Sequence, residues 1–330
     1  MNILGIETSC DETSVSVVKD GELVLSNVIA TSLKDHQKYG GIIPEIASRK
    51  QLELISAVAY RALEIAKISL KKIDAVAVTS SPGLIGSLLV GISFAQSLAY
   101  ALKKPLVDVN HITAHLYANF LKKRGTEDRT KKIPNLPAIG LVVSGGHSSL
   151  FYIKNFKHFL LLGQTRDDAA GEAYDKVARI LKLGYPGGPA IDRLSKKGIN
   201  NEIHFPCANL PNSFDFSFSG IKTSVYYYVK KQKKLNSSCV RKIAYAFQKS
   251  VVTALTKKTI LACESKLIKT LVVGGGVAAN SELRKELCFQ AEKKNIDVFF
   301  PDIDLCMDNA AMIAGLGYHL MKNKGGHSSD

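Results

Sequence analysis

Apolar residues recur along this chain with two different periods, and the alternation between them lays out the expected elements. Residues 1 to about 30 read as a strand, a turn and two further strands, with Val15, Val17 and Val24 spaced for a β-meander around Asp20-Gly21. Pro44 then opens a helix whose apolar positions Ile46, Ala47, Leu54, Ile55, Val58, Ala62 and Leu63 keep near-helical spacing. Asp74 to Thr79 reads as a short buried strand ending in Ser80-Ser81-Pro82-Gly83, followed by a small-residue helix from about Ile85. A strand at Leu106 to Val109 leads into a helix from His111 to Leu121. Ile139 to Ile153 repeats the strand, turn, strand pattern, and Asp167 to Leu183 reads as a helix led by acids. The run Tyr185-Pro186-Gly187-Gly188-Pro189 breaks that helix, and Ala190 to Ser195 starts another. Residues 200 to 220 are irregular. Helices follow at about 222 to 233 and 237 to 265, then a strand at Leu271 to Val273 and a helix from Ser281. A strand at Val298 to Phe300 and a helix from Asn309 to Lys322 close the pattern, and Gly325 to Asp330 reads as a loose tail.

Three of these strands run directly into turns with chemistry in them. Ile3 to Ile6 meets Glu7-Thr8-Ser9-Cys10-Asp11-Glu12-Thr13, Ile139 to Val143 meets Ser144-Gly145-Gly146-His147-Ser148, and Leu271 to Val273 meets Gly274-Gly275-Gly276. Glycine lets the backbone approach an anion with its N–H groups aimed at oxygen, while acids can hold a divalent ion that neutralises phosphate. One such turn by itself is more often an ordinary tight turn. Two of them far apart, with an acid-bearing turn at the start, point to two lobes closing on a nucleotide.

At 330 residues and 46% apolar content the chain is long enough for about two domains with real cores. The polar, charged stretch from Lys122 to Pro134 marks a linker or exposed loop, with a lobe boundary expected near it. The net charge of +15 is the footprint of a protein that meets a polyanion. Basic groups recur at Lys122-Lys123-Arg124, Arg129 to Lys132, Lys196-Lys197, Lys230-Lys231-Gln232-Lys233-Lys234, Arg241-Lys242 and Lys293-Lys294, although such clusters are also what solvated helix ends look like. The six cysteines include no CxxC pair, so neither a disulfide framework nor a zinc knuckle is indicated. No cationic leader precedes the first strand, and the uncharged stretch Ala75 to Leu102 holds Pro82, Gly83, Gly86, Gly91 and Gln96. It suits a strand, a turn and a tightly packed core helix better than a lipid-facing span, so the expectation is a cytoplasmic protein with no membrane contact.

His111-Ile112-Thr113-Ala114-His115 puts two imidazoles at i and i+4 on one helical face, a spacing that chelates one transition metal or simply packs. A zincin would need glutamate at the second position as general base, and isoleucine stands there. A third ligand must come from elsewhere, with Asp304 and Asp308 the leading candidates. The block from Asp167 to Lys176 brings Asp168, Glu172 and Asp175 within reach of one face, for ribose or Mg²⁺, or for N-terminal charge complementarity in the case of its leading acids. Phe214 to Gly220 interleaves aromatic and small polar residues, either to line a core or to stack a base.

Taken in order, these motifs resemble the universal tRNA adenosine threonylcarbamoyltransferase family. The resemblance runs through Gly5 to Thr13, Gly40 to Arg49, Pro82 to Gly91, Val143 to His147, the Asp167 to Lys176 block, Tyr185 to Pro189, Phe216 to Thr223, Gly274 to Asn280 and Asp308-Asn309, covering essentially the whole chain. The family has also carried the label glycoprotein endopeptidase, a chemistry that the missing glutamate disfavours. The resemblance implies a two-lobed actin-like α/β fold, of the ribonuclease H-like, sugar kinase, Hsp70 and actin type, with mixed sheets flanked by helices. It divides the chain into an N-terminal lobe, residues 1–110 completed by a C-terminal helix 309–324, and a second lobe, 111–308, carrying the metal and nucleotide turns.

The same resemblance implies transfer of a threonylcarbamoyl group from threonylcarbamoyl-AMP to the exocyclic amine of the adenosine 3′ of the anticodon, in tRNAs reading codons that begin with A. It implies a divalent ion, iron or zinc, on His111, His115 and Asp308, with Mg²⁺ as a further ion beside the nucleotide. A nucleotide site is implied at Val142, Val143, Ser144, Gly145, Gly146, Asp175, Gly188, Asp192, Gly275 and Asn280. Asp11 or Glu12 is the candidate proton acceptor from the attacking amine. The implied partners are tRNA, a degenerate paralogue of the same fold and a small P-loop ATPase. A non-catalytic scaffold of this fold and an actin-fold ATPase or sugar kinase are the competing readings. The chain departs from many members of that family in carrying Thr113-Ala114 where Glu-Gly is common and Gln51 where histidine is common, and from some bacterial members in lacking their extended Arg/Pro/Trp-containing C-terminal tail.

Overall fold

The computed structural model describes residues 1–125, 132–197, 203–208, 210–232 and 234–321, so the expectations for 126–131, Lys233, the end of the last helix and the tail lie outside the described residues. The chain divides into two compact units, residues 1–133 with 156–158 and 301–330, and residues 134–155 with 159–300.

The first unit is built on a six-stranded mixed sheet. β1 (Asn2–Glu7) pairs antiparallel with β2 (Glu12–Lys19), and β2 with β3 (Leu23–Thr31). On its other side β1 runs parallel to β4 (Ala75–Ser81), β4 to β5 (Leu106–Asn110), and the short β6 (Lys122–Lys123) lies parallel along β3. Both faces of the central strands are covered, which is why β1 and β4 read as continuous apolar runs and not as alternating ones. On one face Leu4, Ile6, Val15, Val17, Val76 and Val78 pack against Ile55, Val58 and Ala62 of the helix Pro44–Ala66 and Ala95 and Ala99 of the helix Ile85–Leu102. On the other lies the C-terminal helix Ala310–Met321, so close that a Cβ on Gly5 would stand 2.3 Å from the Ala310 carbonyl oxygen and 2.7 Å from the Ala314 nitrogen. Glycine is required there by space alone.

The helix Ile85–Leu102 is long and apolar enough to cross a membrane. Its small-residue face, Ser87, Gly91, Ala95 and Ala99, is buried in the core as expected. The opposite face exposes Ile85, Leu89 and Tyr100, a surface the composition alone did not reveal.

The division between the units falls within the polar stretch 122–134 and not at residue 110. β5 runs straight into the helix His111–Tyr117, whose Leu116 and Tyr117 are buried, and the Tyr117 ring lies 2.4 Å from where a Cβ on Gly315 would stand. That packing binds the histidine helix to the first unit, as it does the segment 301–308 that leads into the C-terminal helix.

The second unit holds a five-stranded sheet in the order β11-β10-β7-β8-β9, comprising β7 (Ala138–Val143), β8 (Ser148–Asn155), β9 (His158–Gln164), β10 (Thr270–Gly274) and β11 (Asp297–Phe299). β7 is antiparallel to β8, while β10 runs parallel to both β7 and β11. β9 lies outside the strands that the sequence pattern predicts, because its run of leucines is half-exposed at the sheet edge and lacks a clean alternation. The helix Ser219–Lys230 begins earlier than expected because Oδ1 of Asp167 accepts hydrogen bonds from Phe218 N at 2.7 Å and Ser219 N at 3.2 Å. Phe216 and Phe218 are buried, which decides the Phe-rich segment as core.

Candidate functional site

The histidine pair is placed by a local device. Asn110 ends β5 and caps the next helix, its Oδ1 accepting from Thr113 N at 3.1 Å, so that His111 and His115 project from one helical face. Their rings stand edge to face with centroids 4.6 Å apart. Asp308 reaches them from the segment before the C-terminal helix, Oδ1 lying 3.6 Å from His111 Nε2 and 3.2 Å from His115 Nε2. Asn309 holds that segment in place: buried, it accepts from Met312 N at 3.1 Å and donates to the carbonyls of Leu305 and Met307. One ligand atom from each of His111, His115 and Asp308 falls within 4.8 Å of the others.

The donor set fits a metal ion. His115 is 1% exposed, and neither of its ring nitrogens makes a hydrogen bond. A buried imidazole with two orphaned nitrogens is costly unless something coordinates it, and two imidazoles with one carboxylate suit a divalent transition metal. Asp304, the other candidate third ligand, is an exposed ion-pair partner of Lys123 at 2.5 Å. Thr113 donates its amide to the Asn110 cap and Ala114 is buried, so both positions between the histidines serve structure in this chain.

Behind His111 stands Glu7, which the sequence offers only as one acid of the first turn. Nδ1 of His111 lies 3.0 Å from Glu7 Oε2. Burial would depress the His111 imidazole, but Glu7 and Asp308 on either side raise it to about 9. Burial likewise works to raise the Glu7 carboxyl, yet the imidazole beside it leaves it below its ordinary value. The surroundings favour positive charge at this position, whether proton or metal.

The acid-bearing turn between β1 and β2 belongs to the same unit. Asp11 is 7% exposed and its carbonyl accepts from both Ser32 N and Ser32 Oγ. Burial, with Asp308 and Asp11 nearby, holds the Glu12 carboxyl well above the usual carboxylate range. Gln51 secures the turn from behind: its Nε2 donates at 2.9 Å to the carbonyls of Cys10 and Glu12, and lies 3.4 Å from that of Thr8. The burial of Cys10, and the carboxylates around it, push its thiol up out of the reactive range.

The second unit gathers most of the expected nucleotide residues and reassigns several. Val142 and Val143 are buried at the end of β7. Ser144 to His147 form a tight turn, with Ser144 N donating to His147 O at 2.8 Å and His147 N to Ser144 Oγ at 3.1 Å. Gly145 and Gly146 are exposed at its tip, and neither they nor Gly188 has an atom within 4 Å of where a Cβ would stand. That is open space beside backbone N–H groups, as an anion cradle needs. The turn sits against the helix Ala170–Ile180, a Cβ on Gly171 meeting Ser144 O at 2.5 Å.

Gly275 differs. Its φ is +91° and a Cβ there would stand 2.3 Å from the Val143 carbonyl oxygen, so this glycine serves the close approach of β10 to β7. Asp175 accepts from Gly187 N at 2.7 Å and so anchors the start of the helix Gly187–Ser195; burial foremost raises its carboxyl, against the opposing Gly187 and Gly188 amides. Asp168 and Glu172 both pair with Lys176 at 2.7 Å, which engages these carboxylates inside the protein. Asn280 caps the helix Ser281–Glu292 through Leu283 N at 3.0 Å and donates to Gln248 Oε1 at 2.8 Å. Asp192 accepts from Ser281 Oγ at 2.9 Å and from Gln248 Nε2 at 3.1 Å. Asp192 and Asn280 thus meet through Gln248, a residue that sequence reasoning missed because a glutamine inside a helix carries no motif.

Comparison with known proteins bears on both units. Residues 23–315 match the family model of the tRNA N6-adenosine threonylcarbamoyltransferases (TsaD). A tRNA N6-adenosine threonylcarbamoyltransferase of Clostridium botulinum is 51% identical over 321 residues, 96% of this chain and 92% of the relative. One from Syntrophus aciditrophicus is 48% identical over 326 residues, 98% and 94% of the two chains. Among solved structures, full-length HypF aligns with a TM-score of 0.60 at 15% identity, over 96% of this chain and 46% of that one. Component A of (R)-2-hydroxyglutaryl-CoA dehydratase from Acidaminococcus fermentans aligns with a TM-score of 0.54 at 14% identity, over 97% and 98%. At such identities the structural likeness speaks for the fold, which is actin-like: two mixed sheets flanked by helices.

Proposed function

The chain belongs to the tRNA N6-adenosine threonylcarbamoyltransferase family and is an enzyme of that activity, and from this premise we propose how its residues divide the work. The donor is threonylcarbamoyl-AMP and the acceptor is the N6 amine of the adenosine 3′ of the anticodon, in tRNAs reading codons that begin with A. The amine attacks the carbamoyl carbon, the bond from that carbon to the phosphate oxygen breaks, AMP leaves, and the amine gives up a proton. Because AMP is a good leaving group, positioning and charge stabilisation matter more than a strong nucleophile of the enzyme's own.

The His-His-Asp group carries the reading for the first unit. A divalent ion held by His111, His115 and Asp308, iron or zinc, would supply Lewis-acid charge to oxygens of the donor. Asp11 or Glu12 of the acid-bearing turn takes the amine's proton. Ser32 and Gln51 hold that turn, donating to the backbone carbonyls of Asp11 and Glu12. In the second unit the adenylate phosphate sits on the N–H groups of Gly145 and Gly146 and the start of the helix at Gly187-Gly188. Asp175, Asp192 and Asn280 frame that cradle, Val142 and Val143 back it, and Gly275 contributes by letting β10 approach β7.

The partners follow the same reading. tRNA meets the basic surface, on which Lys230, Lys231 and Lys234 are exposed. A degenerate paralogue of the same fold docks on the apolar surface left by Leu52, Tyr60, Ile85, Leu89 and Tyr100, all exposed on two helices of the first unit, and a small P-loop ATPase completes the assembly. The cytoplasm, where tRNA is modified, is the compartment. Purified protein incubated with tRNA, donor and these partners should form threonylcarbamoyladenosine, read by nucleoside analysis. The His111→Ala protein should not, and equal product from both would overturn the assignment of the metal group.

A further inference from the structure

Glu7 is the last residue of β1, and its carboxylate is 1% exposed. Oε1 accepts from Ser9 N at 2.5 Å. Oε2 accepts from Thr79 Oγ1, on β4, at 2.5 Å and lies 3.0 Å from His111 Nδ1. Ser9 Oγ stands 3.2 Å from the same nitrogen. The carboxylate is therefore oriented by a backbone amide of the turn after β1 and a hydroxyl of β4, and its remaining contact is the imidazole. Among the described residues, its ion-pair partner is His111 and not a lysine or arginine.

We propose that Glu7 is a positioning residue for the metal group, accepting the Nδ1 proton of His111 so that the Nε2 lone pair faces His115 and Asp308. The inference rests on the reading that His111, His115 and Asp308 hold a metal. Two physical points carry it. An imidazole can ligate through either nitrogen, and the one left free is decided by what the other bonds; Glu7, an acceptor-only carboxylate, leaves Nδ1 no role but donor. Charge favours the same arrangement. Two neutral imidazoles and the Asp308 carboxylate leave a divalent ion one negative charge short, and Glu7 is the buried carboxylate in direct contact with a ligand imidazole. A net charge without compensation is costly there.

The test uses the full chain with Zn²⁺ and Co²⁺ as probes. Glu7→Gln keeps the shape and removes the charge. Thr79→Val keeps the carboxylate and removes the hydroxyl that orients it, so it decides the matter if Glu7→Gln does not fold. Competition with a chromophoric chelator should show Zn²⁺ held about 10–100-fold more weakly by Glu7→Gln. Thr79→Val should show a smaller loss in the same direction. The visible absorption of the Co²⁺ protein should shift in both, a signature that a merely structural role would not move. Unchanged Zn²⁺ affinity and Co²⁺ spectrum in the folded variants would overturn the inference. Failure of the parent protein to bind Zn²⁺ or Co²⁺ would instead overturn the metal reading beneath it.

Discussion

Nε2 of His115 and Oδ1 of Asp308 lie 3.2 Å apart, one on the helix after β5 and the other just before the C-terminal helix. This contact turns a histidine pair that could have been mere packing into the start of a three-ligand group, and it makes a direct prediction. His115→Ala removes a ring whose nitrogens lack hydrogen-bond partners, so the metal-free protein should remain folded. What disappears is the stabilisation by metal: an ion at a hundredfold excess over its Kd adds about 2.7 kcal/mol to the parent, seen as a rise in Tm. A Tm rise with Zn²⁺ in His115→Ala equal to the parent's would contradict the ligand assignment.

Two glycines of the second unit should respond in opposite ways. Gly145→Val adds a side chain where no atom lies within 4 Å, so the protein should fold and lose adenylate binding. Gly275→Val forces a branched residue into positive φ and against the Val143 carbonyl. It should destabilise the sheet outright. Equilibrium dialysis with AMP and urea unfolding on both variants would separate a cradle glycine from a packing glycine.

Gln51 supplies the amide that ties down the acid-bearing turn. Gln51→Leu leaves the Cys10 and Glu12 carbonyls without that donor, which should cost about 1–3 kcal/mol in urea unfolding and lower turnover as the turn loosens. Gln51→His restores one donor and should recover part of both losses. Full stability and activity in the leucine variant would show that the turn holds itself.

Acid stability depends on which carboxylates ionise more easily in the folded chain. The amide of Gln164 foremost, with Arg166 and Ser213, holds the Asp215 carboxyl below its ordinary 3.8. A depressed folded value means the stabilisation is present above the unfolded pKa and lost as pH falls through the folded one. Asp215→Asn should therefore flatten the loss of stability below about pH 4. Asp175, raised chiefly by burial, has the opposite sign: its ionisation costs stability at neutral pH, and that cost is relieved as pH falls toward 4. Urea unfolding from pH 7 to pH 3 should show a steeper net loss of stability toward acid for Asp175→Asn, which lacks the opposing contribution, and a gentler acid limb for Asp215→Asn.

The sequence by itself determined what is local. Strand and helix periods placed most elements, the i, i+4 spacing put His111 and His115 on one face, and the glycine turns after β7 and β10 were visible as such. Resemblance to relatives then named the chemistry. Tertiary structure decided what depends on partners remote in the chain. It set Asp308 beside the two histidines and left Asp304 exposed in an ion pair with Lys123. It brought Glu7 to His111, a contact no spacing predicts. It also made Gly275 a packing residue and gave Asp175 to a helix start, since whether a glycine or carboxylate faces a ligand depends on which backbone has already arrived there. Even the unit boundary followed from packing, as Tyr117 against the C-terminal helix keeps the histidines with the first sheet. Periodicity records which face of an element is buried; it carries no record of what that face is buried against.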